Sequence, residues 1–266
     1  MPKRKTVAVI LLTHYPELTP DQEISIRHLQ RFLDRYDKFL VMPQSLEFDL
    51  PGFEVRRFPD WHFCSIKDYD QFMLSPEFYE TFLEYEYILT YQPDCLVFSD
   101  QLEGWCNLGY DYIGAPLFRD KANPTKGFSR VGNGGLSLRR VESFLKVLNS
   151  PHIPSWKDVL TTSLPDLYKF PLPYRWLKKL RVFRAARRGV GWYTQQYSLN
   201  EDLFWSDRAK LFYPKFKIAP IDAALRFAFE GHPRYCYEQN NRQLPFGAHA
   251  WARWDRAFWE PFLLRI

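Results

Sequence analysis

The segment from residue 6 to residue 33 reads TVAVILLTHYPELTPDQEISIRHLQRFL. Its first half contains a continuous apolar run, Val7 to Leu12, which is typical of a strand buried on both faces of a parallel sheet. Thr19-Pro20-Asp21 then offers an N-cap and a proline at the first helical position, so a helix should begin there. A buried strand followed by a capped helix is the opening unit of an α/β fold.

The alternation of strands and helices continues along the chain. Apolar runs predict strands at 39–42, 53–58, 87–91 and 95–98, extended chain at 112–116, a strand-like return within 131–138 and a weak strand at 216–219. Helix starts are predicted at 75, 141 and 200, whereas the proline-rich segment 151–173 is predicted to be irregular. We therefore expect an α/β fold with a mainly parallel, Rossmann-type sheet flanked by helices.

Length and composition favour a single soluble domain. The chain has 266 residues, of which 46% are hydrophobic and 18% aromatic, enough for a large core. The first apolar run is too short for a signal peptide or a membrane span. The four cysteines form no CxxC pair, so we expect reduced thiols and a cytoplasmic protein.

Several familiar site motifs are missing. No glycine lies between Leu12 and Gly52, which argues against a dinucleotide-binding dehydrogenase. Gly127 and Gly132 have the glycine spacing of a phosphate-binding P-loop, but Asn133 stands where its lysine should be. Neither GxSxG nor HExxH occurs, and no zinc-finger or RNA-binding signature is present, so a nucleic-acid partner is not expected.

Four short segments are candidates for chemistry. Each also has a structural explanation: a turn aspartate, a capped helix start, a packed histidine or a bulged strand. For each segment in isolation the structural explanation is favoured, and only the combination of the segments favours a functional one. The segments are Gln92-Pro93-Asp94, Asn200-Glu201-Asp202, His249 and Gly132-Asn133-Gly134-Gly135.

Taken in order, these segments resemble the GT-A type of glycosyltransferase. More closely, the chain resembles a bacterial family of uncharacterised GT-A-like proteins, over roughly residues 7–251. The resemblance rests on the segments YDYIGAP at 110–116, VGNGGLSLR at 131–139, NEDLF at 200–204 and PFGAH at 245–249. Gln92 departs from the usual acid motif, which leaves Asp94 as its only carboxylate.

The resemblance implies one GT-A-like domain over 1–266. Its nucleotide-binding half would cover about 1–100 and its acceptor half about 101–266, with a basic helical insertion at about 174–190. It also implies a metal-dependent, inverting transfer of a sugar from a nucleotide-sugar donor to a hydroxyl of a glycan or lipid-linked acceptor. The setting would be bacterial surface polysaccharide synthesis.

The implied residue roles divide into four groups. The donor-binding residues would be Thr13, His14, Gln92 and Asp94. Mn²⁺ or Mg²⁺ would be held by Asp94 and His249. The base that accepts the acceptor's proton would be Asp202 or, failing that, Glu201. Asn133, Gly134 and Gly135 would line the sugar and acceptor side.

A strongly basic stretch from Arg175 to Arg188 contains seven basic residues and no acidic one, with Trp176, Leu180 and Phe183 on one helical face. It indicates either an anionic membrane surface as a partner, with the protein peripheral on the inner face, or a core-facing helix with a solvated basic face.

Two other classes of protein stay open from the sequence. A non-catalytic nucleotide- or glycan-binding protein on the same fold needs only the aromatic residues and Asp94. A nucleotidyltransferase would use a similar metal and nucleotide site, but the basic, glycine-containing loop that it needs near the first strand is not visible.

Overall fold

The computed structural model describes residues 4–162, 164–165, 167 and 170–264 of the chain. Its strands are β1 (Lys5–Leu12), β2 (Asp37–Pro43), β3 (Glu54–Phe58), β4 (Tyr85–Tyr91), β5 (Leu96–Val97), β6 (Tyr112–Gly114), β7 (Pro116–Phe118), β8 (Phe128–Val131), β9 (Leu136–Arg140), β10 (Ala228–Phe229) and β11 (Gly247–Ala248).

The helices lie between and after these strands. They are α1 (Pro20–Leu33), α2 (Ile66–Met73), α3 (Pro76–Glu80), α4 (Leu102–Asn107), α5 (Val141–Leu148), α6 (Trp156–Thr161), α7 (Leu172–Ala186), α8 (Val190–Gln195), α9 (Glu201–Asp207), α10 (Ala209–Phe212), α11 (Ile221–Phe227), α12 (Pro233–Gln239) and α13 (Trp251–Trp259).

A six-stranded sheet of order β3-β2-β1-β4-β9-β6 forms the centre of the fold. Strands β3, β2, β1 and β4 are parallel to one another, whereas β9 is antiparallel to both of its neighbours, β4 and β6. The predicted α/β fold with a mainly parallel sheet and flanking helices is confirmed. Because β1 and β4 are parallel, with Leu11 opposite Tyr91, the loops that follow them leave the same edge of the sheet.

The continuous apolar run of β1 is explained by burial on both faces. Ala8, Ile10 and Leu12 belong to one core cluster, whereas Val9 and Leu11 belong to the cluster on the opposite face. Successive side chains of a strand point to opposite faces, so a sheet covered by helices on both sides needs apolar residues at every position.

The predicted start of the first helix is also confirmed. Thr19 is the N-cap of α1, its hydroxyl accepts a hydrogen bond from the Gln22 amide, and the Gln22 side chain accepts one from the Thr19 amide. Pro20 occupies the first helical position, where its missing N–H costs nothing.

Two smaller sheets adjoin the central one. A three-stranded sheet has the order β10-β11-β5, and β7 pairs with β8 as an antiparallel hairpin. These strands bring the residues that follow β10 and β11, Glu230 and His249, towards the edge where β4 ends.

Two secondary-structure predictions are wrong. The weak strand at 216–219 is a single parallel bridge between Tyr112 and Ile218, because this short segment pairs with the sheet only at its edge beside β6. Segment 151–173 is not wholly irregular, since α6 forms there with Ser155 and Asp158 as a capping box. Residues 163, 166, 168 and 169 of that segment lie outside the described residues.

Across 4–162, 164–165, 167 and 170–264, no helix is long and apolar enough to cross a membrane.

Candidate functional site

A cavity of about 1030 Å³ opens at the carboxyl end of β4. In α/β sheets ligands bind beyond the carboxyl ends of the strands, so this is the expected position for a site. Its wall combines the loop after β4, the loop before β9, the start of α9, the β7–β8 hairpin and the residues after β10 and β11. The lining side chains include Tyr69, Asp70, Gln92, Phe118, Arg119, Lys121, Arg130, Asn133, Glu201, Asp202, Glu230 and His249.

Most of the residues singled out in the sequence meet at this cavity. Gln92, Asn133, Gly134, Gly135, Glu201, Asp202 and His249 line its wall. Asp94 contacts the wall through the side chain of His249, with its Oδ1 at 3.4 Å from Nε2.

Thr13 and His14 are not in the cavity wall, although they lie at the same edge of the sheet. Thr13 is buried directly after β1, and its amide donates to the carbonyl of Val41. His14 is exposed and contacts the ring of Tyr15. A ligand that reaches both these residues and the cavity must therefore extend across the ends of the neighbouring strands β1 and β4.

The imidazole of His249 is held from both sides. Its Nε2 lies 3.0 Å from Gln92 Oε1 and faces Asp94, whereas its Nδ1 lies 3.0 Å from Asn133 Nδ2 and 3.6 Å from Glu230 Oε1. Burial alone lowers the pKa of this histidine, but the two carboxylates outweigh burial and raise it to about 10. A positive charge on His249 in turn lowers the pKa of Asp94 and of Glu230, against the opposing effect of their burial.

The two adjacent glycines before β9 permit this close packing. A Cβ at Gly134 would lie 2.1 Å from Glu201 Oε1, and one at Gly135 would lie 2.2 Å from His249 Nε2. Asn133 itself has a φ of 144°, a conformation that side-chain-bearing residues rarely adopt, and its Oδ1 accepts hydrogen bonds from the backbone amides at 135 and 136. The glycines are therefore needed because the backbone touches functional side chains.

Glu201 and Asp202 are neighbours in sequence with different surroundings. The Glu201 carboxylate makes two hydrogen bonds to the Arg139 guanidinium, at 2.7 and 3.1 Å, and both residues are buried. Arg139 also donates to Tyr79 Oη at 2.9 Å, and Asp70 Oδ1 accepts from the Glu201 amide at 3.1 Å. Glu201 thus fixes the start of α9 against the sheet.

Asp202 lines the cavity, and no cation among the described residues pairs with it. Its Oδ1 is buried and has no hydrogen-bond partner within the described part of the chain. Burial, with the nearby negative charges of Glu201 and Glu230, raises the pKa of Asp202 to about 7. A carboxylate that exchanges protons near neutral pH is suited to general-base chemistry.

Sequence reasoning missed Glu230 and Asp70. Glu230 comes directly after the short apolar pair of β10, and an acidic residue in that position is the signal that could have indicated it. Asp70 lies within α2, where nothing in the local sequence distinguishes it from a solvated helical residue. Its pKa is raised to about 6, mainly by burial.

The donor atoms at His249 suit a divalent cation shared with a ligand. Asp94 and Gln92 supply oxygens beside Nε2, while Glu230 lies beside Nδ1, and a metal-ligating histidine usually donates its second N–H to a carboxylate placed in this way. Among the described residues no group of three or more His, Cys, Asp or Glu side chains could hold a metal ion. Asp94 and Glu230 flank opposite nitrogens of the His249 ring, so the two carboxylates do not converge on one ring nitrogen.

Solved structures share this architecture. An active-site mutant of LgtC is 11% identical, with 97% of each chain covered and a TM-score of 0.50. The glycosyltransferase GlyE of Streptococcus pneumoniae TIGR4 is 13% identical with a TM-score of 0.45, and the match covers 98% of this chain and 61% of GlyE. The mannosyltransferase Ktr4p of S. cerevisiae is 14% identical with a TM-score of 0.44, over 81% of this chain and 68% of Ktr4p. The fold is that of the GT-A glycosyltransferases.

The family is established by sequence. A family model described as "Protein of unknown function (DUF5672)" matches residues 52–249, and the chain belongs to this family. The match encloses the segments at 110–116, 131–139, 200–204 and 245–249 that line or support the cavity. No curated protein matches the chain significantly.

Proposed function

We propose that this protein is a glycosyltransferase that moves a sugar from a nucleotide-sugar donor to a hydroxyl group of a glycan or lipid-linked acceptor. The observation that carries the proposal is the meeting of Asp202 and His249 in one cavity, with Asp94 against His249. These residues come from three distant segments of the chain, and a general base and a phosphate-binding centre within one cavity are what sugar transfer requires.

The donor would lie along the edge where β1 and β4 end. Its base and ribose would be bound near Thr13 and His14, and its diphosphate near Gln92, Asp94 and His249. Mn²⁺ or Mg²⁺ held there by Asp94 and His249 would supply positive charge against the departing diphosphate. Glu230 and Asn133 keep the His249 ring in place by contacting its Nδ1.

The transfer step would be a single displacement with inversion. The acceptor oxygen forms a bond to the anomeric carbon of the donor sugar, and its proton passes to the carboxylate of Asp202. The bond from the anomeric carbon to the diphosphate oxygen breaks, and its electron pair leaves with the nucleoside diphosphate. Asn133, Gly134 and Gly135 would line the sugar side, and Asp202 is favoured over Glu201 as the base because Glu201 is paired with Arg139.

The basic helix supports a membrane setting for the acceptor. Leu172, Tyr174, Trp176 and Leu177 of α7 are each more than half exposed, beside the basic residues of the same helix. Exposed aromatic and aliphatic side chains among lysines and arginines suit an anionic lipid surface. We therefore propose that α7 rests on the inner face of a bacterial membrane, where lipid-linked acceptors for surface polysaccharide are extended.

The test is release of nucleoside diphosphate from a panel of nucleotide sugars, with and without Mn²⁺ and an acceptor glycan. We expect release with at least one donor, and a loss of about 10²–10⁴-fold in the Asp202→Asn variant because the base is removed. Undiminished transfer by Asp202→Asn would remove Asp202 from the mechanism.

The rival classes give different results in the same experiment. Tight donor binding without diphosphate release, under every condition of the panel, would indicate a binding protein. Release of pyrophosphate from a nucleoside triphosphate and a sugar phosphate would indicate a nucleotidyltransferase instead.

A further inference from the structure

The β7–β8 hairpin covers one side of the cavity with positive charge. Its strands and the loop that joins them contribute the cavity-lining cations Arg119, Lys121, Lys126 and Arg130. The mechanism proposed above uses none of them.

Two of these cations are already paired. Lys126 Nζ lies 2.8 Å from Asp120 Oδ2 in the same loop, and Arg130 is paired with the buried Asp207 of α9. Two carboxylates of the cavity wall are paired as well, since Glu201 pairs with Arg139 and Glu230 faces His249.

The other two cations of the hairpin are Arg119 and Lys121. Both are exposed at the cavity, and within the described ranges neither side chain has a hydrogen bond or an ion pair. Both residues belong to the lining of the cavity. An arginine and a lysine that line one cavity can together bind a phosphate or carboxylate group.

The hairpin lies on the same side of the cavity as the proposed base. Ser206 of α9 donates a hydrogen bond to the carbonyl of Val131 in β8, and Arg130 pairs with Asp207. Helix α9 also carries Asp202, and Asp202, Arg119 and Lys121 line the same cavity. Phe118, at the end of β7, adds an aromatic surface to the same wall, against which a sugar ring can pack.

From this arrangement we infer that the acceptor sugar carries an anionic group, a phosphate or a carboxylate, and that Arg119 and Lys121 bind it. This inference rests on the proposed function, because it takes the Asp202 side of the cavity as the acceptor side. The same chemistry is found in a uronic acid and in a sugar phosphate, so the experiment uses both.

The probes are methyl α-glucoside, methyl α-glucuronide and glucose 6-phosphate, with binding to the whole protein measured by calorimetry at low salt. We expect at least one anionic sugar to bind about tenfold or more tightly than the neutral one. The carboxylate and phosphate probes tell the two sources of charge apart. In the double variant Arg119→Gln/Lys121→Gln this preference should disappear.

Arg226→Gln is the matched control, since Arg226 is an exposed arginine on α11 that does not line the cavity. It should retain the preference for the anionic sugar. Equal binding of neutral and anionic sugars by the unaltered protein, or an unchanged preference in the double variant, would overturn the inference.

UDP and GDP affinities provide the remaining comparison. They should be the same in the double variant and the unaltered protein, because the donor is held elsewhere. A loss of nucleotide affinity equal to the loss of sugar affinity would assign the hairpin to the donor diphosphate and refute an acceptor site. If no donor supports transfer but the anionic preference is present and depends on the hairpin, the proposed function fails while the anion site stands.

Discussion

Replacement of Glu201 by glutamine tests the different roles that the structure gives to two adjacent acids. The substitution keeps the shape of the side chain and removes its charge. It leaves the Arg139 guanidinium, which is fully buried, without the carboxylate that accepts two of its hydrogen bonds, at 2.7 and 3.1 Å.

The expected loss of stability is large. Removing one partner of a buried ion pair costs about 3–5 kcal/mol, because the other charge remains in the interior. For a protein of this size each kcal/mol lowers the melting temperature by about 2–4 °C, so the Tm of Glu201→Gln should fall by roughly 6–20 °C.

Asp202→Asn is the matched control. The two residues are adjacent in α9 and the chemical change is the same, but Asp202 has no cationic partner in the part of the chain that the structure describes. Its Tm at pH 7.5 should equal or exceed that of the unaltered protein, because a buried carboxylate is replaced by a neutral amide. Thermal unfolding followed by circular dichroism measures both variants, and urea titration gives the free energies.

A double variant completes the experiment. In Glu201→Gln/Arg139→Met no buried charge is left unpaired, so most of the lost stability should return. A Glu201→Gln protein that melts with the unaltered one, or a double variant whose loss is the sum of the two single losses, would refute the reasoning.

Three further predictions concern the same site and α7. Because the pKa of Asp202 is about 7 in the folded protein and near 4 in the unfolded chain, the folded state retains a proton between these values, and the stability due to this group should be present in acid and be lost as pH rises through 7. The difference in unfolding free energy between the unaltered protein and Asp202→Asn should show that trend, and a flat difference from pH 4 to 8 would contradict it. Gly135→Ala should weaken Mn²⁺ binding, measured by electron paramagnetic resonance, because the new Cβ would displace His249. The control Gly104→Ala, whose Cβ meets nothing within 4 Å, should bind Mn²⁺ normally and gain up to about 1 kcal/mol of stability, and equal Mn²⁺ affinities of the two variants would rule out this crowding. Vesicles containing anionic lipid should retain the unaltered protein at low salt and release it at high salt, and they should retain Trp176→Ser less well. Neutral vesicles should not retain the unaltered protein, and its failure to bind anionic vesicles at low salt would remove the membrane surface as a partner.

Much of the fold was predictable because it depends on local patterns. The apolar run of β1 and the cap of α1 at Thr19 can be read without knowing what packs against them, and both have the expected structure. The wrong strand at 216–219 has a simple cause: a short apolar segment pairs only where a sheet edge is available, and Tyr112 offers it one bridge.

The candidate site was predictable only as a set of residue types. Gln92-Pro93-Asp94 at a strand end and glycines beside Asn133 indicated where chemistry would gather, and the cavity contains most of these residues. The sequence ranked Asp202 and Glu201 as alternatives for one role. The ion pair that separates them joins Glu201 to Arg139, 62 positions away.

What the sequence by itself determined is the part of the protein that neighbouring residues decide: a buried parallel sheet, the helix starts and the kinds of side chain available for catalysis. Only the tertiary structure decided which of those side chains are neutralised and which are free. Asp94 and Glu230 raise the pKa of His249, and within the residues that the structure describes Arg119 and Lys121 have no ion pair at the cavity. Such properties arise from contacts between distant segments, and electrostatic interactions depend on distance in space and on burial, neither of which the order of residues records.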